Sequence, residues 1–280
     1  MTLLDGILLG LVQGLTEFLP VSSTGHLIIL RDLLGIGELG GLAFDASLHI
    51  GTLIAVGFYF RKELAEFIRS VWRFVIRAPL SPEEKSFCGA VIWGTVPALA
   101  FGLLLKDVID SSARNSLVVA IGLLIGSLLM WYAERKATRN EIQGTMASNS
   151  SSLVPRSLSS RLGFRIGIFQ ALALFPGISR SGSTISGALL NGVSREQATR
   201  FAFILSFPIL LGAGGASLIS LLLNPTALGS LSPLIAGLIT ALISGLAAIH
   251  FLIRYLKTHT LSVFMWYRVI LALVILFFIL

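Results

Sequence analysis

Glu17, Ser23, His26 and Arg180 are the residues of this chain whose types and spacing suit chemistry, and each sits in a polar stretch inside otherwise apolar sequence. The first stretch runs from Gln13 to His26 and the second from Gln170 to Thr184. Gln13 and Glu17 are four apart and share a helix face. A carboxylate there holds a divalent cation, acts as a base, or pairs with Arg180 as a structural ion pair, and the residues alone leave all three open. Ser22, Ser23 and Thr24 follow Pro20, and His26 lies three residues beyond Ser23. A serine hydroxyl attacks poorly until a base takes its proton, and imidazole suits that task, so Ser23 and His26 read as a nucleophile and its acid–base partner. At least one of Ser22 and Ser23 is expected to cap a helix. Arg180 keeps its charge when buried and needs anionic company. Hydroxyls surround it at Ser179, Ser181, Ser183 and Thr184. Arginine, hydroxyls and a helix N-terminus together are a means of gripping phosphate oxygens.

The elements that position these residues follow from hydropathy. The chain has 280 residues, 55% hydrophobic and 12% charged, with a mean hydropathy of +0.88. Soluble domains carry about 25% charged residues, so this composition is that of an integral membrane protein. A spanning helix needs roughly 20 mostly apolar residues. Six segments qualify, at about 43–60, 87–105, 116–133, 200–223, 233–253 and 261–280. Residues 2–34 and 162–192 instead hold paired half-length apolar runs, broken at Pro20 and Pro176, where a helix cannot continue undisturbed. Each is expected to form a re-entrant helical hairpin, because broken backbone at membrane depth must be buried in protein or line a wet cavity.

The two halves repeat. An offset of 157 positions aligns Gln13 with Gln170, Phe18 with Phe175, Ser22 with Ser179 and Gly25 with Gly182, among others, without a gap. Repeat 1 covers about 2–133 and repeat 2 about 162–280, joined by a Ser-rich linker at 134–161 within one membrane domain. If the first hairpin returns to its own side, sixteen of the 21 Lys and Arg fall on one face, which is therefore cytoplasmic. Both termini then face outward, and the hairpins enter from opposite faces as an inverted-topology repeat with one shared site. The net charge of +7 belongs to these loops and to anionic lipid, not to nucleic acid. The single cysteine, Cys88, excludes an internal disulfide. The N-terminal residues lack the basic region of a cleaved signal peptide.

Other residues read more plainly. Asp45 and His49 share a face at the outer start of a span, either lining an entrance or capping. Arg268, after Tyr267 in the last span, is expected near the cytoplasmic end in a structural role, snorkelling or meeting lipid head groups. Glu38, Asp107 and Asp110 look like solvated loop charges. Gly122 with Gly126, and Gly237, Ala241 and Gly245, are expected to be packing devices.

At Gln13, Glu17, Pro20–His26 and Pro176–Thr184 the chain resembles the undecaprenyl-pyrophosphate phosphatases, the bacitracin-resistance membrane phosphatases. Gln13 stands where some members carry a second glutamate, which leaves Glu17 as the sole carboxylate of its motif. The resemblance implies an all-α membrane fold of ten helices: six spans and two re-entrant pairs. It implies a multi-pass protein of the bacterial inner membrane, with a site open to the outer, periplasmic face and room for a homodimer. It implies hydrolysis of undecaprenyl diphosphate, a polyprenyl diphosphate lipid, to the monophosphate and phosphate, with magnesium or calcium as divalent cation. By the same resemblance Ser23 is the nucleophile or its positioner, His26 the acid–base, Glu17 a metal or base residue and Arg180 the diphosphate clamp. Gln13, Ser22, Thr24, Ser179, Ser181 and Thr184 would bind substrate. A lipid-phosphate or anion transporter is the competing expectation, since opposed hairpins suit alternating access equally well.

Overall fold

The computed structural model describes residues 1–36, 41–105, 115–143, 158–223 and 231–279. Glu38, Asp107, Asp110 and residues 144–157 of the Ser-rich linker lie outside the described residues. Eleven helices and no strand occur among the described residues: α1 (Leu3–Phe18), α2 (Ser23–Leu34), α3 (Gly41–Tyr59), α4 (Arg61–Val75), α5 (Pro82–Leu104), α6 (Ser116–Ile142), α7 (Ser160–Leu172), α8 (Arg180–Leu190), α9 (Arg195–Leu223), α10 (Leu231–Tyr255) and α11 (Ser262–Ile279).

Four of these, α5, α6, α10 and the Arg195–Ser217 part of α9, are long and apolar enough to cross a membrane, and α3 and α11 contain shorter apolar stretches, Phe44–Tyr59 and Ser262–Phe278. The six expected spans all fall on these helices. Large apolar side chains such as Phe58, Trp93, Ile243 and Trp266 are exposed on them, a surface that suits lipid rather than water. Two boundaries differ from expectation. The segment after α3 is not a loop, because Arg61–Val75 forms α4, which adds an eleventh helix to the ten implied by resemblance. Helix α6 runs on to Ile142, into residues expected to be linker.

The two broken regions become α1–α2 and α7–α8. Their arms are 16, 12, 13 and 11 residues long, each short of the roughly 20 that span a bilayer. Thr2 and Asp5 form a capping box that starts α1. It stops at Phe18 because Pro20 has no N–H with which to continue the ladder. Ser159 caps α7, and Ser179 caps α8 by accepting from the Gly182 amide. The breaks share one unusual backbone feature. Ser22 has φ +74° and Ser179 φ +73°, left-handed values that cost a serine energy. These are the two positions that the 157-residue offset aligns.

Glycine sets the closest approaches. A Cβ on Gly6 or Gly10 of α1 would strike the α10 backbone at Pro233 and Gly237, and one on Gly163 or Gly167 of α7 would strike α5 at Ala90 and Gly94. So the first arm of each broken pair lies against a long apolar helix whose backbone it nearly touches. Gly122 and Gly126 do serve packing, as expected, but their partner is the second break: α6 meets Pro176, Gly177 and the Ile178 carbonyl there. Glu134 of α6 accepts from Arg195 and from the Leu261 amide, tying the starts of α9 and α11 to one carboxylate.

Candidate active site

The breaks converge. Glu17, on the last turn of α1, is 7% exposed. Its Oε1 accepts from Arg180 Nη2 at 2.7 Å, and its Oε2 accepts from Ser23 Oγ at 2.9 Å and from Gln13 Nε2 at 3.1 Å. The carboxylate thus joins the end of α1 to the first residues of α2 and α8. An Arg–carboxylate pair at this depth needs such company, since either charge alone would be costly to bury.

Beside this group lies a cavity of about 220 Å³. Thr16, Glu17, Ser22, Ser23, Thr24, Ser179 and Arg180 form its polar wall, with His49 from α3. Leu174, Phe175, Ile209, Leu210 and Ala213 form its apolar wall. Arg180 spends one N–H on Glu17, and no other hydrogen bond joins its guanidinium to the described residues. A guanidinium carries five N–H donors in a rigid fork, so several remain for an anion in the cavity. The first turns of α2 and α8 add unpaired backbone amides at the same place.

The structure therefore gathers Glu17, Ser22, Ser23, Thr24, Ser179 and Arg180 of the expected set. Four other residues sit elsewhere. Gln13 is fully buried behind Glu17 and orients it. Ser181 donates to the Leu19 carbonyl and joins the two breaks, Thr184 donates to the Arg180 carbonyl within α8, and neither lines the cavity. His26 does not meet Ser23. A carbonyl only accepts, so Nδ1 donates to Ser22 O at 2.8 Å, and Nε2 then accepts from the Tyr267 hydroxyl at 2.6 Å. The rings stack with centroids 5.5 Å apart and planes within 7°. The helical i, i+3 spacing of Ser23 and His26 fixed their neighbourhood on α2 but not the partners that either side chain finds.

Two residues have larger parts than their sequence positions announce. His49 lines the cavity with Nε2 3.7 Å from Glu17 Oε2. Arg268 does not snorkel; it is fully buried. It donates to Pro20 O at 3.2 Å and Gly177 O at 3.0 Å, one carbonyl from each break, and to Ser127 Oγ and the Gly122 and Leu123 carbonyls of α6. Its companions are backbone carbonyls, which leave no mark in a sequence. Asp45 turns away from the cavity and pairs with Arg31.

A protein whose described residues are helical and lipid-facing, with a buried Arg–Glu pair beside a hydroxyl-lined cavity, is a membrane protein with a polar site inside it. Comparison with known proteins places it more closely. The family described as Bacitracin resistance protein BacA matches residues 6–274, and the chain belongs to that family. It is 38% identical to a protein of Methanosphaera stadtmanae, over 97% of this chain and 96% of the relative. It is 40% identical to one of Chlorobium luteolum, over 96% and 94%. It is 39% identical to one of Myxococcus xanthus, over 99% and 89%. All three relatives carry the name undecaprenyl-diphosphatase.

Proposed function

We propose that this chain hydrolyses undecaprenyl diphosphate to undecaprenyl phosphate and inorganic phosphate, recycling the carrier lipid of cell-wall synthesis. The observation that carries the reading is Arg180 at the cavity wall, with most of its donors unspent, next to a serine hydroxyl already bonded to a carboxylate. Arg180 and the hydroxyls of Ser22, Thr24 and Ser179 hold the terminal phosphate. Ser23 attacks its phosphorus, or orients a water that does, while Glu17 Oε2 receives the proton. The bond to the bridging oxygen breaks and the lipid monophosphate leaves; where Ser23 is the nucleophile, a water then hydrolyses the phosphoserine, which frees inorganic phosphate and restores the hydroxyl. Phosphoryl transfer asks for little beyond an in-line nucleophile and neutralised oxygens, and these residues supply both. His26 acts by holding α2 against Tyr267. The apolar wall of Leu174, Phe175, Ile209, Leu210 and Ala213 leads the prenyl tail toward lipid.

A divalent cation belongs to this reading as a companion of the substrate. Among the described residues no three of His, Cys, Asp and Glu gather around one point. Glu17 can offer one ligand beside diphosphate oxygens, the usual way magnesium is held. Such a cation supplies charge neutralisation on those oxygens. We further place the breaks as tips of two re-entrant hairpins in an inverted repeat, with the basic loops and α4 cytoplasmic, both termini outside and the cavity open to the outer face. The placement of sixteen of the 21 basic side chains on one side and the matched backbone of Ser22 and Ser179 support this. Phosphate release from a long-chain prenyl diphosphate by purified protein, with and without chelator, tests the activity. Release that persists in Ser23→Ala together with Arg180→Ala would remove the cavity from the mechanism.

A further inference from the structure

Helix α4 carries apolar and charged surface that the cavity does not use. It has 15 residues, about 22 Å of helix, and six of them are charged. Too short and too polar to cross a bilayer, it lies at the membrane surface, between the end of α3 and the start of α5.

Its circumference divides into three. Leu64 is buried, and Phe67 packs beside Phe87 of α5 with ring centroids 6.5 Å apart, so one side rests on the protein. Ile68, Trp72 and Val75, spaced four and three apart, share a second side, and all are exposed. Lys62, Glu66, Arg69 and Arg73 fall on the third. Arg73 is committed to Glu84 at 2.7 Å. Lys62, Arg69 and Arg77 are exposed, and none forms an ion pair with a described residue. Arg77 closes the helix with φ +58°, a position where glycine suits the backbone better. Residues 61–77 hold five basic and two acidic side chains. Arg61 lies over the ring of Phe58, 5.2 Å from its centroid, so the basic surface of α4 runs into the exposed apolar surface of α3.

Exposed tryptophan and aliphatic side chains flanked by unpaired cations fit a partner that is apolar within and negative at its rim, which is the boundary of an anionic bilayer. A second copy fits worse, since a symmetric contact between two α4 helices sets their basic flanks against each other. We propose that α4 is an in-plane anchor for anionic phospholipid: Ile68, Trp72 and Val75 sink among the acyl chains, and Lys62, Arg69 and Arg77 meet head-group phosphates. The inference rests on the membrane character of the chain and not on the phosphatase reading.

Trp72 is the reporter. With Trp93, Trp131 and Trp266 replaced by Phe, it is the sole tryptophan of the full chain, and its fluorescence is followed in nanodiscs as brominated phosphatidylglycerol or brominated phosphatidylcholine is added. Each basic residue near an anionic surface contributes about fivefold in affinity, so Trp72 is expected to be quenched by both lipids, with at least a fivefold preference for the glycerol head group. Lys62→Gln, Arg69→Gln and Arg77→Gln together should bring that preference to within twofold of none. High salt should weaken it in the protein that keeps all three charges, which covers a triple variant that does not fold. Quenching without preference for the anionic lipid, or a preference indifferent to both salt and the three charges, overturns the assignment. So does a Trp72 that neither lipid quenches, and a Trp72→Cys variant that then crosslinks to itself between chains would give the face to a second copy.

Discussion

Arg180 Nη2 stands 2.7 Å from Glu17 Oε1 across 163 residues of chain, so this ion pair ties the two halves of the protein together at the cavity. Breaking such a pair by removing one partner leaves the other charge stranded. Arg180→Ala is expected to lower stability by about 3–5 kcal/mol and phosphate release by at least a hundredfold. Adding Glu17→Gln should restore much of the stability and none of the turnover. Thermal unfolding in detergent and phosphate release, measured on both variants, separate the two effects. Arg180→Lys should not rescue activity, because a point charge cannot hold Glu17 and phosphate at once as a guanidinium fork does.

Ser23→Ala is expected to reduce phosphate release to background while leaving unfolding within about 1 kcal/mol of the original. The lost hydrogen bond to Glu17 is one of several that carboxylate accepts, and a single bond contributes about that much.

His26 is tied to Tyr267 by a 2.6 Å hydrogen bond. If it acts by positioning α2, then His26→Ala and Tyr267→Phe should lower turnover by comparable factors, on the order of tenfold, with the pH profile unshifted. Normal turnover in Tyr267→Phe beside a dead His26→Ala would return the imidazole to an acid–base role.

Gly122→Ala places a methyl group against the Pro176 carbonyl and Gly177. Backbone cannot yield as a flexible side chain can, so the second break must shift. A loss of about 1–3 kcal/mol and a larger, at least tenfold, loss of turnover are expected, because Arg180 sits only four residues beyond Pro176. Gly10→Ala, which pushes α1 off α10 away from the cavity, should cost similar stability and less activity.

Much of this was legible in the sequence, for local reasons. Pro20 and Pro176 mark the breaks because proline ends a helix wherever it stands. The apolar stretches mark the spans because length and hydropathy decide them. The repeat offset even named the two serines that take left-handed backbone. What stayed hidden depends on distant partners or on rotation about a helix. His26 reads as a partner for Ser23 until Tyr267 arrives from 241 residues away. Helix α4 hid because its many charges resemble a loop, although Leu64 and Ser70 on it are buried. Arg268 reads as a structural residue near the cytoplasmic end of the last span, snorkelling or meeting lipid head groups. Its true surroundings are carbonyls of Pro20, Gly122, Leu123 and Gly177, assembled only by the fold.

The grip of Arg268 on both breaks bears on how the protein can move. A carrier working by alternating access must rock one half against the other about its site, and here that motion would tear a buried guanidinium from carbonyls on both sides at once. Each cycle would have to break and remake those bonds, a cost that a site with a still centre does not meet. The clamp turns the meeting point into a fixed anvil, suited to holding a head group still while a bond in it is cut.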